Sequence, residues 1–281
     1  MEDAMISRRD LILSGAAACA TPLWAKKSKL KIGVTDWNLG KAGKLEAVEQ
    51  ASRLGFEGVE VSLGRKAADG KLPLDNPELI EKYLAAAKQH KIALAGTCLD
   101  ILHVNYLKND KLGQKWVLDS IPITKRLQAR VVLMPFFGKG ALETKAEMDF
   151  VGDFLKDAAK EAEKAGILLG LEDTISAEDN VRIMDRAGSK ALKVYYDVGN
   201  STNNGFDILK EIPWLGASRI CQFHLKDKGY LGEGAIQFPE VMNRIMNLGF
   251  TGFANLETNS PSKVVDADMK RNLDFIRKYV A

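Results

Sequence analysis

Four side chains able to bind a metal or move a proton stand at similar places in four successive apolar runs. Leu169-Gly170-Leu171 ends in Glu172-Asp173-Thr174, and Val194-Tyr195-Tyr196 ends in Asp197-Val198-Gly199-Asn200. Cys221-Gln222-Phe223 leads to His224-Leu225-Lys226-Asp227, and Ala254-Asn255-Leu256 to Glu257-Thr258. Three carboxylates and one imidazole form an oxygen-rich set with a single nitrogen. Such a set suits one divalent metal ion, Mn2+, Mg2+ or Co2+, with Zn2+ also admissible and water or substrate completing the sphere. Three carboxylates crowded together without a cation repel one another at considerable cost. Any one of these acids, taken alone, reads better as a turn or helix cap, Asp197 before Gly199 and Asn200 most plainly. Their recurrence at consecutive strand ends favours a shared site.

Bringing the four together requires strands that stop on one rim. From Lys31 onward the chain alternates short β-rich runs with longer amphipathic segments. Strands are expected at 31–35, 59–62, 92–98, 130–135, 167–171, 192–196, 219–225 and 252–256. Helices are expected at 45–54, 77–91, 110–128 with an interruption near Pro122, 147–165, 176–187, 206–211, 238–247 and 265–279. Leu54-Gly55-Phe56, Ala165-Gly166-Ile167 and Leu248-Gly249-Phe250 each end a helix and enter a strand. The alternation reads as an α/β fold, a (β/α)8 TIM barrel occupying residues 30–281. A doubly wound open sheet is the second choice. It calls for a glycine-rich phosphate loop after the first strand, and Asp36-Trp37-Asn38-Leu39-Gly40 is not one.

Composition narrows the functions. The chain has 281 residues, 46% of them hydrophobic, which is enough for one barrel-sized core. Residues 1–25 read as an address and not as part of the fold. Ser7-Arg8-Arg9-Asp10-Leu11, a short apolar run and small residues near Ala20 and Ala25 resemble a twin-arginine export signal. The expectation is therefore a periplasmic or exported protein that meets a membrane only during export. The apolar run is short for a membrane span. Without residues 1–25 there are 38 basic and 34 acidic side chains, a mild balance that gives nucleic-acid binding no support. Cys19, Cys98 and Cys221 show neither metal spacing nor a disulfide framework, and Cys98 and Cys221 fall in strands as core residues. The histidines are His90, His103 and His224. His90 ends a helix and reads as a partner of its dipole. Oligomeric state is left open, a homo-oligomer included.

Leu-Glu-Asp-Thr at Glu172, Tyr-Asp-Val-Gly-Asn at Asp197, Phe-His-Leu-Lys-Asp at His224 and Leu-Glu-Thr at Glu257 resemble the xylose-isomerase-like barrels. The nearest branch is the sugar phosphate isomerase/epimerase group, which includes ketose 3-epimerases. Gly232-Glu233-Gly234-Ala235-Ile236-Gln237-Phe238 is similar to a phrase of that group. The resemblance implies a metal-dependent isomerase or epimerase of a keto sugar. It assigns Glu172, Asp197, His224 and Glu257 as metal ligands. It makes Glu172 and Glu257 the catalytic pair, one removing a proton beside the carbonyl and the other returning it through an enediolate. A cation on the carbonyl oxygen stabilises that intermediate's charge.

The substrate side departs from the pattern. Asn200 stands where the epimerases often have His, and Lys226 is the basic residue nearest the place of an Arg. Asn200 can hydrogen-bond a hydroxyl. Lys226 lies two residues past His224, on the same side of the strand, where it can polarise a carbonyl, bind an anionic group or pair with Asp227. Glu60 in the second strand reads either as a ligand of sugar hydroxyls or as a buried ion-pair partner. His103, past the third strand, is a candidate for hydroxyl binding or proton transfer, with an ordinary loop histidine as the alternative. Trp37, after the first strand, is a candidate apolar floor for a sugar ring or a loop-packing residue. A 3-keto-glycoside lyase on the same metal site is the main alternative function. A metal-dependent phosphodiesterase or endonuclease and a non-catalytic sugar-binding protein rank below it.

Overall fold

The computed structural model describes residues 30–280. The export signal read at residues 1–25 lies outside them. Eight strands form a closed parallel barrel in chain order: β1 Leu30–Thr35, β2 Gly58–Ser62, β3 Ala93–Cys98, β4 Val131–Pro135, β5 Leu168–Glu172, β6 Leu192–Asp197, β7 Ile220–Leu225 and β8 Gly252–Leu256. Closure is made by β8 pairing with β1, with Gly33 opposite Asn255. Among the described residues no helix is long and apolar enough to cross a membrane.

The helices are α1 Glu46–Leu54, α2 Pro77–His90, α3 Lys111–Arg126, α4 Lys145–Ala165, α5 Ala177–Ala187, α6 Val198–Asn203, α7 Ile208–Arg219, α8 Phe238–Asn247 and α9 Val265–Arg277. Their ends follow local chemistry. Asn76, Asp110, Thr144 and Ser176 cap helix N-termini with their side chains. Gly55 and Gly166 end α1 and α4 at φ 96° and 75°, a left-handed turn that glycine adopts without strain.

Three expectations are corrected. Pro122 does not interrupt α3. The carbonyl it leaves without a donor belongs to Leu118, which is exposed and can bond water. The helix expected at 206–211 runs on to Arg219, with non-helical backbone at Gly216. Directly after Asp197, where a turn was expected, α6 begins.

Alternation sorts the strands into two faces. Val59, Val61, Leu169, Leu171, Phe223, Leu225 and Leu256 are fully buried within the large core that includes the helices. Cys98, Val131, Leu133, Tyr195 and Cys221 form a separate small apolar cluster. A polar layer of Glu60, Tyr195, Gln222 and Asn255 is buried inside the barrel. Glycine makes room for it: a Cβ on Gly33 would fall 2.0 Å from Asn255 Oδ1, and one on Gly170 would fall 3.1 Å from Tyr195 Cβ.

Asp268 ties the rim loops to α9. Its Oδ1 accepts from Tyr230 Oη and Ser262 Oγ, both at 2.7 Å. Its Oδ2 accepts from Ser260 Oγ at 2.6 Å and Ser262 N at 3.0 Å. Burial would raise this carboxyl, but the hydrogen bonds outweigh it and hold the pKa at about 2. Stability from this group is therefore present above pH 4 or so and is lost as pH falls toward 2. Asp268→Ala is predicted to cost about 2 kcal/mol in denaturant unfolding at pH 7.

Candidate active site at the barrel mouth

Register places the four strand-end groups side by side. Glu172 is the last residue of β5 and pairs with Pro135. Asp197 ends β6 opposite His224 of β7, and His224 lies opposite Asn255 of β8. Glu257 follows β8, its N–H bonded to Leu225 O. One ligand atom from each of Glu172, Asp197, His224 and Glu257 falls within 4.8 Å of all the others.

The imidazole is the centre of this cluster. His224 is fully buried, with Tyr195 at 4.5 Å and Trp37 at 5.9 Å between ring centroids. Its Nε2 lies 2.9 Å from Glu60 Oε2. Its Nδ1 lies 2.8 Å from Glu172 Oε1, 3.6 Å from Glu257 Oε2 and 3.8 Å from Asp197 Oδ2. Glu60 Oε2 also accepts from Tyr195 Oη at 2.8 Å and Asn255 Nδ2 at 3.2 Å. An Nε2–H donated to Glu60 fixes the ring and turns Nδ1 toward the cluster, the arrangement that orients metal-binding histidines.

Asp197 has two jobs at once. Its Oδ1 caps α6, accepting from Gly199 N at 2.7 Å and Asn200 N at 2.8 Å. Its Oδ2 is buried and faces the Lys226 ammonium at 2.8 Å. Lys226 also contacts Glu257 Oε2 at 2.6 Å, and Trp37 Nε1 donates to Glu257 Oε1 at 3.0 Å. Lys226 passes over Gly199, where a Cβ would lie 2.4 Å from its Cγ.

Protonation follows burial and pairing. Burial, reinforced by Glu257 and Asp197, pushes Glu172 up to about 8 against the pull of His224. Burial likewise raises Asp197, against the pull of Lys226. For Glu257 burial also acts upward, yet His224, Lys226 and the Trp37 N–H outweigh it and hold it at about 2. His224 rises well above its ordinary value because the attraction of Glu172 and Glu257 overcomes its burial.

These residues fit a divalent cation. Three carboxylate oxygens and one imidazole nitrogen converge within 4.8 Å of one another, a donor set that suits a divalent cation. A bound cation would replace the Nδ1 proton and offset the carboxylate repulsion.

Above the cluster the mouth has two lobes. One has a volume of about 530 Å3 and includes Glu172, His103, Asp100, Arg65 and Phe137 in its lining. The other, of about 570 Å3, includes Asn203, Lys228, Ala235, Ile236 and Asn259. Trp37, Asn200, Lys226 and Glu257 border both. His103 lies against Phe137, at 6.2 Å between stacked rings, and burial together with Arg65 lowers its pKa. Trp37, Asn200, Lys226 and His103 all line the mouth. Glu60 does not. It is fully buried and held against His224, so the hydroxyl-binding reading of Glu60 is corrected in favour of the buried ion-pair partner. Lys226 pairs with Asp197 and Glu257, and not with Asp227.

Several residues at the site were not singled out in the sequence. Asn255, Gln222 and Tyr195 complete the polar layer. Asp100 lines the mouth and accepts a hydrogen bond from Ser62 Oγ. Asp36 Oδ2 accepts from Gly43 N at 2.8 Å and Ser62 N at 2.9 Å, which fixes the loop carrying Trp37. The available signal was alternation: Tyr195, Gln222 and Asn255 each precede a cluster residue by two.

The chain belongs to the xylose isomerase-like TIM barrel family, whose model matches residues 48–279. It is similar to the 2-epi-5-epi-valiolone 7-phosphate 2-epimerase of Actinoplanes sp. (strain ATCC 31044 / CBS 674.73 / SE50/110), at 24% identity over 70% of this chain and 72% of that protein. Among solved structures, an L-ribulose 3-epimerase superposes with a TM-score of 0.74 at 17% identity, covering 89% of this chain and 94% of that one. A 3-keto-D-glucoside 4-epimerase from E. coli superposes with a TM-score of 0.72 at 16% identity, covering 89% and 99%. At these identities the superpositions establish the shared fold.

Asp36 gives a pH test of the scaffold. It is fully buried, and burial pushes its pKa up to about 8 against the two backbone N–H groups. The folded state then holds a proton that the unfolded chain gives up, so this group's contribution to stability falls as pH rises from about 4 to 8. Asp36→Asn is predicted to flatten that part of the pH–stability curve, measured by urea unfolding at pH 5, 6.5 and 8.

Proposed function

We propose that the chain is a divalent-metal-dependent isomerase or epimerase of a keto sugar, moving a proton at the carbon beside the carbonyl through an enediolate. The observation that carries this reading is the convergence of Glu172 and Glu257 in one largely buried four-donor cluster at the barrel mouth. A relative and two structural neighbours that are named as epimerases support it.

The two glutamates come from β5 and from the end of β8, with β6 and β7 between them. They therefore approach the cluster from different sides. One takes the proton and the other returns it, which is what inversion at carbon requires. A divalent cation held by Glu172, Asp197, His224 and Glu257 would supply electrophilic stabilisation of the enediolate oxygen. Glu60 holds the imidazole, while Lys226 and Trp37 hold Glu257. His103 and Asn200 border the space above and supply hydrogen bonds to hydroxyls.

Lys226 also favours a second outcome. Its ammonium borders both lobes and can give a proton to an oxygen leaving from the carbon next to the enediolate. Loss of a β-substituent from a 3-keto glycoside would then follow from the same intermediate, and release of aglycone would identify it.

The test is deuterium exchange from solvent into a panel of keto sugars. Wild-type protein loaded with Mn2+ is predicted to exchange one carbon-bound hydrogen. Glu172→Gln and Glu257→Gln are each predicted to slow that exchange by about 100-fold or more. Exchange at the wild-type rate in both variants would refute the assigned pair.

A further inference from the structure

We infer that the substrate is a disaccharide-sized keto glycoside, with its reacting keto ring over the metal-binding cluster and a second hydroxylated ring in the neighbouring lobe. This rests on the proton-transfer reading of the site and adds the substrate class.

The two lobes are each large enough for a small molecule, at about 530 and 570 Å3. A single hexose held against Glu172 in the first lobe leaves the second lobe open. Their linings differ in kind. Glu172 and His103 belong only to the first lobe, so proton transfer on both faces of a carbon is available only there. The second lobe shares Glu257 but otherwise offers Asn203, Asn259 and Lys228 around the apolar Ala235 and Ile236. Amide and ammonium donors beside an apolar patch suit a ring with hydroxyls on its edge and C–H groups on its face. Trp37, Asn200 and Lys226 stand at the junction, where a glycosidic link would cross.

The second lobe is a built wall. The Asp227 carboxylate accepts from the backbone N–H groups of Lys228, Gly232 and Gly234, which holds the loop leading to Ala235. Gly234 is needed for this, since a Cβ there would lie 1.8 Å from Asp227 Oδ1. The charge balance argues against a phosphate in this lobe. Lys226 is engaged by Asp197 and Glu257, which leaves Lys228 as the lobe's one unpaired cation among the described residues. Tight phosphate sites gather several charge-assisted donors.

The experiment compares three probes in the deuterium-exchange assay with the Mn2+-loaded full chain. They are 3-ketoglucose, a disaccharide carrying 3-ketoglucose as its non-reducing ring, and 3-ketoglucose 6-phosphate. The disaccharide is expected to show a kcat/KM at least tenfold above both others. Ala235 is exposed and is none of the four cluster residues, and Ala235→Trp places an indole in the second lobe. This variant is expected to raise the disaccharide-to-monosaccharide KM ratio at least tenfold, with its Tm confirming the fold. Equal kcat/KM for mono- and disaccharide, preference for the phosphate, or an unmoved KM ratio would overturn the inference and leave the proton-transfer reading intact. Exchange into none of a wider keto-sugar panel would overturn that reading and this inference together.

Discussion

The structure depends on how negative charge is held around one buried imidazole. Glu60 meets His224 from one side of the ring, and Glu172, Asp197 and Glu257 gather at the other. Four carboxylates so close together are tolerable only with positive partners and directed hydrogen bonds. His224 and Lys226 supply the charge, and Trp37, Tyr195 and Asn255 supply the hydrogen bonds. Much of the local sequence serves this arrangement. Gly33 and Gly170 give up their side chains so that Asn255 and Tyr195 fit inside the barrel, and Gly199 lets Lys226 reach across. A divalent cation would relieve the crowding more completely than the two protein cations can, because it brings two charges to the point where the acceptors converge.

The strand ends were legible because each apolar run stops on a group unsuited to the core. Glu172, Asp197, His224 and Glu257 converge because parallel strands with in-phase register bring successive ends to one rim. Depth and partner choice were harder to read. Glu60 stayed open between two readings because the sequence could not say how far below the rim it lies. That depends on the β1–β2 and β2–β3 registers, the latter broken between Val59 and Glu60. The engagement of Lys226 with Asp197 depends on the β6–β7 register, which also shifts locally. The start of α6 was hidden because Gly199 and Asn200 resemble a turn, whereas their backbone N–H groups are what Asp197 caps. Asp197 therefore satisfies both readings open to it, one with each carboxylate oxygen.

Asn200 and Lys226 set this mouth apart from the ketose-epimerase pattern the sequence resembles. Both stand at the junction of the two lobes, together with Trp37 and Glu257. Asn200 contributes neutral hydrogen-bonding capacity there. Lys226 contributes a proton-bearing cation, raised above its ordinary pKa because the attraction of Asp197 and Glu257 overcomes burial. A neutral amide and an ammonium at a crossing point suit a linked pair of rings better than a single compact ketose.

The central claim is that four strand-end side chains hold one divalent cation. Titration of metal-free protein with Mn2+ in a calorimeter, repeated in buffers of different ionisation enthalpy, tests it most directly. The account predicts one ion per chain, proton release on binding as His224 and Glu172 are deprotonated, and affinity weakened at least tenfold in Asp197→Asn. Failure to bind Mn2+, Mg2+, Co2+ or Zn2+, or binding unaffected by substitutions at Asp197 and His224, would contradict it.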